Sequence, residues 1–364
     1  MSLSPVGQEV VLALVKIAVV IGGLLGLFSG MTYIERRLLA FMQYRLGPNR
    51  TGPFGLLQPI ADGIKLFFKE EVMPAAANKW GFLAAPVVAV ATALLAVAVL
   101  PYGPPFQVPA WGFLPDWVQG RTFQFQIAQV DVGVLFIFAI TALGVYGVVL
   151  AGWAANSKYS LLGGLRSSAQ MFSYELALGL SWVGIIMLAG SFHIADIVND
   201  QGARFGGWFF GWNVFVQFPA FLVYFIAATA EVARIPFDLP EGEAELVAGF
   251  HTEYSSMRFA LIQMAEYINM ITVSVLCANL FLGGWHSGIP GVPSEGPLGF
   301  VWWGAKVAVL LFVFIWLRGT LPRFRYDQLM HFGWKVLIPV AAVWILVTAT
   351  AVTFIPALGR VASR

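Results

Sequence analysis

The chain has 364 residues, 59% of them hydrophobic and only 11% charged, with a mean hydropathy of +0.78. A soluble domain carries about 25% charged residues, so a soluble enzyme is excluded and no nucleic-acid partner is expected. The composition describes an all-α polytopic membrane protein, one integral membrane domain over residues 1–364. The formal net charge of +2 is nearly balanced, so the distribution of charge carries more information than its sum.

A helical crossing needs about 20 mostly apolar residues. Eight segments meet this: residues 10–31, 80–101, 127–151, 168–190, 213–233, 260–283, 300–318 and 335–357. The first reads as a mature helix rather than a cleavable leader, because its first lysine, Lys16, lies inside the apolar run. The loops 32–79, 152–167, 234–259 and 319–334, with Arg318 and Lys335 at the boundaries of the last, carry fifteen Lys and Arg. The other side has four: Arg121, Arg204, Arg360 and Arg364. The positive-inside bias makes the basic loops cytoplasmic and puts both termini outside. Lys16 and Lys306 fall near outer helix ends, where a long side chain can snorkel.

The first cytoplasmic loop opens with Glu35-Arg36-Arg37 and runs through Arg45-Leu46-Gly47-Pro48-Asn49-Arg50, whose Gly, Pro and Asn mark a turn. Beyond it Leu57, Ile60, Ile64, Phe67 and Phe68 share one helical face, with Gln58, Asp62, Lys65 and Lys69 elsewhere. That pattern predicts an interfacial amphipathic helix. The arginines read either as positive-inside anchors or as a polar mouth through which an amphiphile enters from the lipid. Asp62 and Lys65, at i and i+3, also fit a simple surface ion pair.

Carboxylates occupy costly positions. Glu175, Glu231 and Glu266 lie in the cytoplasmic halves of the fourth, fifth and sixth crossings, and Asp131 near the outer end of the third. A charge at the bilayer centre costs roughly 2.5–3.5 kcal/mol on insertion scales, so such residues face a cavity, a partner or a proton path. For Glu175 a packing hydrogen bond is the plainer alternative. Gln263, Glu266 and Asn269 recur at i, i+3 and i+6, one polar stripe on a helix. The third loop carries Asp238, Glu241, Glu243, Glu245 and Glu253 against Arg234 and Arg258. Glutamates at spacing two do not share a helical face, which predicts an extended or irregular stretch, at least in part. It is either a solvated surface or a cluster whose members raise one another's pKa and so load and release protons.

Other chemistries lack their residues. The lone Cys277 offers no disulfide, zinc or iron–sulfur ligand set. His193, His251, His286 and His331 fall in or near loops, so no haem-ligating pair is expected. No Gly-rich phosphate loop precedes a strand.

Three long motifs carry a family resemblance. Glu35-Arg36-Arg37 with Arg45 through Gly63, the run from Lys158 to Glu175, and Glu231 through Glu241 continuing to Tyr267 resemble the H-type membrane component of bacterial NADH:quinone oxidoreductase, respiratory complex I. The resemblance covers roughly residues 20–335. Thr51, Gly242 and Phe250 depart from the residues more usual there, and some relatives add a ninth crossing. The resemblance implies a membrane subunit without a redox centre, forming part of a quinone chamber. Quinone (ubiquinone or menaquinone) would be the substrate, with FMN and iron–sulfur clusters only in partner subunits. Those partners would be soluble subunits of the peripheral arm, small membrane subunits and antiporter-like subunits, together with membrane lipid. It assigns Glu35, Arg36, Arg45, Asp62 and Lys65 to the quinone mouth and channel, and Arg234, Phe237 and Asp238 to the loop facing the quinone. Glu241, Glu243, Glu245, Glu253, Glu231, Glu175 and Glu266 would form an acidic path into a bacterial inner membrane.

Three other readings remain at this level. A membrane-bound hydrogenase uses a similar subunit without NADH. A stand-alone proton-coupled transporter would show paired broken helices in corresponding halves, which the sequence does not reveal. A passive anchor has no reason to carry intramembrane carboxylates. Changing Glu241, Glu243 and Glu245 to Gln is expected to impair proton pumping coupled to quinone reduction. Unchanged pumping and reduction in such a variant would remove the acidic path.

Overall fold

The structure is a computed structural model that describes residues 4–108, 117, 119–240, 242–294 and 296–354. It opens with α1 (Pro5–Met42), whose first turn is capped by Ser4: the hydroxyl accepts from the Gly7 amide at 3.2 Å. A helix of 38 residues is about 57 Å long, against a hydrocarbon core of about 30 Å. The first predicted crossing therefore continues well past residue 31. Residues 32–42 contain neither Gly nor Pro and are mostly good helix formers. Glu35, Arg36 and Arg37 consequently stand on a helix, not in a loop, and the chain turns directly after it at Gln43-Tyr44, with Tyr44 in the left-handed region at φ 53°.

Helix α2 (Gln58–Phe68) has Pro59 in its first turn and no buried residue. Ile60, Ile64, Phe67 and Phe68 are all exposed, the apolar face expected of an interfacial helix. Its C-terminal end is tied to the distant residues 255 and 256. The Ser256 hydroxyl lies 2.9 and 2.8 Å from the carbonyls of Leu66 and Lys69, and the Ser255 hydroxyl accepts from the Val72 amide at 3.0 Å.

Helices α3 (Lys79–Ala98) and α4 (Gly133–Ala154) form an antiparallel pair. They approach so closely that a Cβ on Gly147 would lie 3.0 Å from the Ala89 nitrogen. Between them a two-residue ribbon, β1 (Phe106–Gln107) with β2 (Thr122–Phe123), pairs antiparallel with Phe106 opposite Phe123. Sequence patterning did not reveal it.

Only residues 155–157 separate α4 from α5 (Lys158–Ala189), with Asn156 in the left-handed region at φ 52°. The loop predicted over 152–167 is thus mostly helix. Its serines and glycines signal a loop by composition but act here as close-packing positions: a Cβ on Gly152 would sit 2.6 Å from the Ser160 carbonyl. Gly190, at φ 66°, ends α5 in the left-handed cap that glycine adopts without strain.

The short α6 (Ile194–Ala203) and two tight turns lead to α7 (Asn213–Val216) and α8 (Phe218–Glu231). The fifth predicted crossing is therefore interrupted. Gln217 leaves helical geometry at φ −119° and ψ 40°, and Pro219 has no amide proton with which to continue the ladder. A single helical turn, α9 (Glu243–Leu246), follows in the loop, and then α10 (Ser256–Phe281) and α11 (Pro297–Thr320). The last crossing is α12 (Tyr326–Phe332), a π-helical turn over Gly333–Leu337, and α13 (Ile338–Phe354). Residues 355–357 of the eighth predicted span lie outside the described residues. Among the described residues, seven helices are long and apolar enough to cross a membrane, with α8 as a shorter apolar helix. The all-α polytopic fold predicted from composition is present.

The core sits where α3, α4, α5, α8 and α10 meet, with Tyr174, Tyr224, Phe82 and Phe281 fully buried. Helix α1 lies outside this core and buries little of its apolar length. The basic loops gather at one end. The Asn78 amide donates to the Ala154 carbonyl at 2.9 Å and the Phe324 amide to the Pro236 carbonyl at 3.1 Å. Arg166 pairs with Glu245 at 2.6 Å.

Gly163 packs against the turn at Gly249, where a Cβ would lie 2.7 Å from the Phe250 nitrogen and 2.8 Å from Gly249. Gly163→Ala should lower the thermal midpoint in mild detergent by the equivalent of about 1–3 kcal/mol, the usual range for overpacking. Gly63→Ala, with nothing within 4 Å, should not lower it. Equal midpoints for the two variants would contradict this packing.

Candidate functional site

Small side chains leave room inside the bundle at its basic end. Ala85 and Ala89 on α3 face Gly144, Gly147 and Ala151 on α4, and with Ala265 on α10 they border a cavity of about 60 Å³. Thr92, Thr141, Ser167, Glu231, Glu266 and Asn269 supply its polar lining, while Pro240 and Phe250 border it from the loop. The volume suffices for several waters, each needing roughly 10–15 Å³ and a few polar partners. Glu231 ends α8, and Glu266 and Asn269 follow one another on the predicted polar stripe of α10. Glu175, on α5, is near enough to Glu231 for the two to repel when both are ionised. It also borders an apolar groove between α4 and α5 on the outer surface of the bundle. Three intramembrane carboxylates predicted separately thus form one neighbourhood, with Glu231 at its centre.

Beside the cavity lies a buried ion cluster. Glu35 on α1 is only 3% exposed. One carboxylate oxygen accepts from Arg318 of α11 and, at 3.4 Å, from Arg234; the other accepts from the Tyr267 hydroxyl of α10 at 2.8 Å. The Arg234 guanidinium also lies over the Tyr267 ring, 4.5 Å from its centroid. Burial draws the Arg234 pKa down, but Glu35, Tyr267 and Glu266 more than offset it, so the group is held firmly charged. Arg234 therefore links the cluster electrostatically to the cavity through Glu266.

The remaining predicted residues divide by environment. Arg36 pairs with Asp62, which also accepts from Gln58 at 3.1 Å and faces Lys65 at 3.7 Å. Arg36 and Lys65 are exposed, so this group joins α1 to α2 at the surface. Arg45 is exposed and donates to Gln43 at 2.7 Å, beside a surface groove with Phe41, Tyr44 and Leu46. Phe237 is buried, stacked on Phe324 at 5.6 Å and tilted against Tyr174 at 5.7 Å. It faces packed rings. Asp238 is half-buried in the same loop, and Glu253 half-buried just before α10, outside the cavity lining. Glu241 lies outside the described residues. Glu243 and Glu245 belong to α9, so this part of the loop is helical, not extended. The Arg166 hydrogen bond, with Arg323 and Arg325 nearby, holds the Glu245 carboxyl below the usual range. That reverses the mutual raising expected of clustered carboxylates, because its neighbours here are arginines.

Sequence reasoning missed several participants. Arg318 counted only as a loop cation, and Tyr267 only as the last residue of the third motif. Gln170, fully buried, donates to the carbonyls of Ala230 and Phe237 at 2.6 and 2.8 Å. It thereby fixes the end of α8 where Glu231 and Arg234 emerge. A lone Gln in an apolar helix was the available signal. At the opposite end Lys306 does not snorkel. It donates to the carbonyls of Leu282, Gly284 and His286 at 2.6, 2.8 and 2.6 Å and lies over the Trp212 ring. These carbonyls follow the end of α10, where a cation is favoured. Burial and the Lys306 charge push the His286 pKa down to about 4. Among the described residues no group of His, Cys, Asp and Glu is arranged to hold a metal ion.

Fold and site together define a helical membrane protein built around an internal acidic cavity beside a buried Glu–Arg–Tyr cluster. The chain belongs to the NADH dehydrogenase family, whose sequence profile matches residues 15–349. It is 52% identical over 337 residues to NADH-quinone oxidoreductase subunit 8 of Thermus thermophilus, covering 93% of this chain and 86% of that one. With the H 1 subunit of NADH-quinone oxidoreductase from Geobacter metallireducens it shares 50% over 346 residues, covering 95% and 98%. With the H 2 subunit of the same enzyme from Koribacter versatilis it shares 48% over 345 residues, covering 93% and 96%. The family expected from the three motifs is thereby established.

Glu35→Gln should destabilise the detergent-solubilised protein far more than Arg36→Gln. Removing one partner of a buried pair costs roughly 3–5 kcal/mol, here at the lower end because Arg318 is part-exposed. An exposed pair contributes about 0–1 kcal/mol. Thermal unfolding that shifts equally in both variants would show that the cluster does not clamp the helices.

Proposed function

We propose that this chain is the membrane subunit of a proton-pumping NADH:quinone oxidoreductase that forms part of the quinone chamber and couples quinone reduction to proton translocation. The carrying observation is the cavity in which Glu231 and Glu266 share one hydratable space, beside a permanently charged Arg234. Reduction of a quinone to a quinol takes two electrons and two protons. The electrons come from iron–sulfur clusters, fed by FMN, in partner subunits; the chain is not catalytic alone.

At the mouth, Arg36, Asp62 and Lys65 form a charged group beside the apolar face of α2, and Arg45 stands next to exposed Phe41, Tyr44 and Leu46. Such a surface suits a molecule with a polar head and an apolar tail arriving from the lipid. Glu35, Arg234, Phe237 and Asp238 form the wall behind it, with Phe237 acting through packing. A change of charge in the chamber acts on Arg234, and through it on Glu266. Glu231, in the same space, and then Glu175 extend the path across the bundle. Glu241, Glu243, Glu245 and Glu253 supply its loop end. The groove next to Glu175 directs the proton sideways, to small membrane and antiporter-like subunits. The chain lies in the bacterial cytoplasmic membrane with its basic loops in the cytoplasm and both termini outside.

Glu231→Gln and Glu266→Gln, introduced into the intact complex, should abolish or sharply reduce NADH-driven proton pumping in membrane vesicles. Assembly, followed by the size of the purified complex, should be retained. Full pumping with normal quinone reduction in both variants would defeat the proposal.

A further inference from the structure

A second, smaller space lies next to the acidic cavity. It measures about 10 Å³ and is bordered by Thr141, Trp182, Tyr224, Glu231, Asn269 and Thr272. Glu231, Thr141 and Asn269 line both spaces. Two of the residues that border the smaller space carry a deeply buried polar atom with no protein hydrogen-bond partner: the indole nitrogen of Trp182 and the hydroxyl of Thr272. The two residues are 3% and 1% exposed.

Neither orphan follows from helix geometry. A hydroxyl inside a helix ordinarily donates to a carbonyl one turn back. Thr92, Thr141, Thr229 and Ser274 all do so, to Val88, Phe138, Phe225 and Met270. Thr272 does not. The Tyr224 hydroxyl is already engaged, donating to the Val273 carbonyl at 2.8 Å. Leaving a buried donor unmade is costly, and a small polar cavity with several partners is the usual setting of an internal water. The volume matches about one water molecule.

We propose that this space is a single-water site, in which the water accepts a hydrogen bond from the Trp182 indole and contacts Glu231. An indole N–H can only donate, so the water must turn its oxygen toward Trp182. Its second lone pair accepts from the Thr272 hydroxyl, and a hydrogen is directed to the Glu231 carboxylate. Three bonds is the usual complement of a buried water. Trp182 and Thr272 are thereby positioning residues for Glu231. They fix a water that stays with the carboxylate whether or not the larger cavity rearranges. Its role in proton transfer rests on the function proposed above.

The test uses the intact complex, with Trp182→Phe, which keeps a ring but removes the donor, and Thr272→Val, which keeps the shape. High-resolution cryo-electron microscopy should show one ordered density within hydrogen-bond reach of the Trp182 nitrogen and the Thr272 hydroxyl, lost or displaced in each variant. Infrared difference spectra should assign a carboxyl band to Glu231 by its loss in Glu231→Gln, and that band should shift in Trp182→Phe and Thr272→Val. A space without density, or a band unmoved in both variants, overturns the water site even if Glu231→Gln abolishes pumping. An ordered water with a shifted band, but full pumping in Glu231→Gln, would uphold the site and remove the proton-path reading instead.

Discussion

A carboxylate buried among helices must be met by positive charge and by donors to its lone pairs, and Glu35 imposes that requirement here. Its partners arrive from three other places in the chain: Arg234 beyond the end of α8, Tyr267 on α10 and Arg318 on α11. Satisfying one anion therefore fixes how α1 and α11, which lie at the edge of the core, meet the helices that build it. Replacing such a cluster by apolar side chains of equal volume can be neutral or even stabilising. Its value here lies in position: it holds Arg234 charged and within electrostatic reach of Glu266.

The cavity depends on a different constraint, the size of side chains at crossing points. Ala85, Ala89, Gly144, Gly147, Ala151 and Ala265 remove volume from the contact between α3, α4 and α10. The two backbones of α3 and α4 approach at Gly147, while the space beside Gly144 stays open to Thr92. Polar groups facing an interior this apolar would be costly in isolation. Grouped around a hydratable space they can share water instead. Glu231 also borders a smaller space lined by Trp182 and Thr272, whose indole nitrogen and hydroxyl are buried without a protein partner.

Glu175 occupies the boundary between this interior and the surface. It feels Glu231 on one side and borders an apolar groove on the other. A carboxylate at that boundary is a poor neighbour for lipid tails. The acidic loop is arranged differently. Its Glu245 is paired with Arg166 and has further arginines nearby, which hold its carboxyl below the usual range. Carboxylates that look alike along the chain thus differ in environment because their neighbours differ.

The sequence by itself determined the fold class, the number of crossings to within the interrupted α7–α8 segment, the interfacial helix α2 and the family. These follow from composition, from the length of apolar runs and from local periodicity, which neighbouring residues alone decide. It also identified Glu175, Glu231 and Glu266 as exceptional, since a charge inside an apolar run is visible without any contact. Glycine- and serine-rich residues 152–167 misled, because the same composition marks a loop and a close helix crossing. Only the tertiary structure decided that Glu35 is buried and bound to Arg318, that Phe237 is stacked within the protein, and that Gln170 pins the end of α8. It alone brought three carboxylates from three helices into one neighbourhood. Each of these is a meeting of residues separated by tens to hundreds of positions, and pairing over such distances leaves no periodic trace in a single chain.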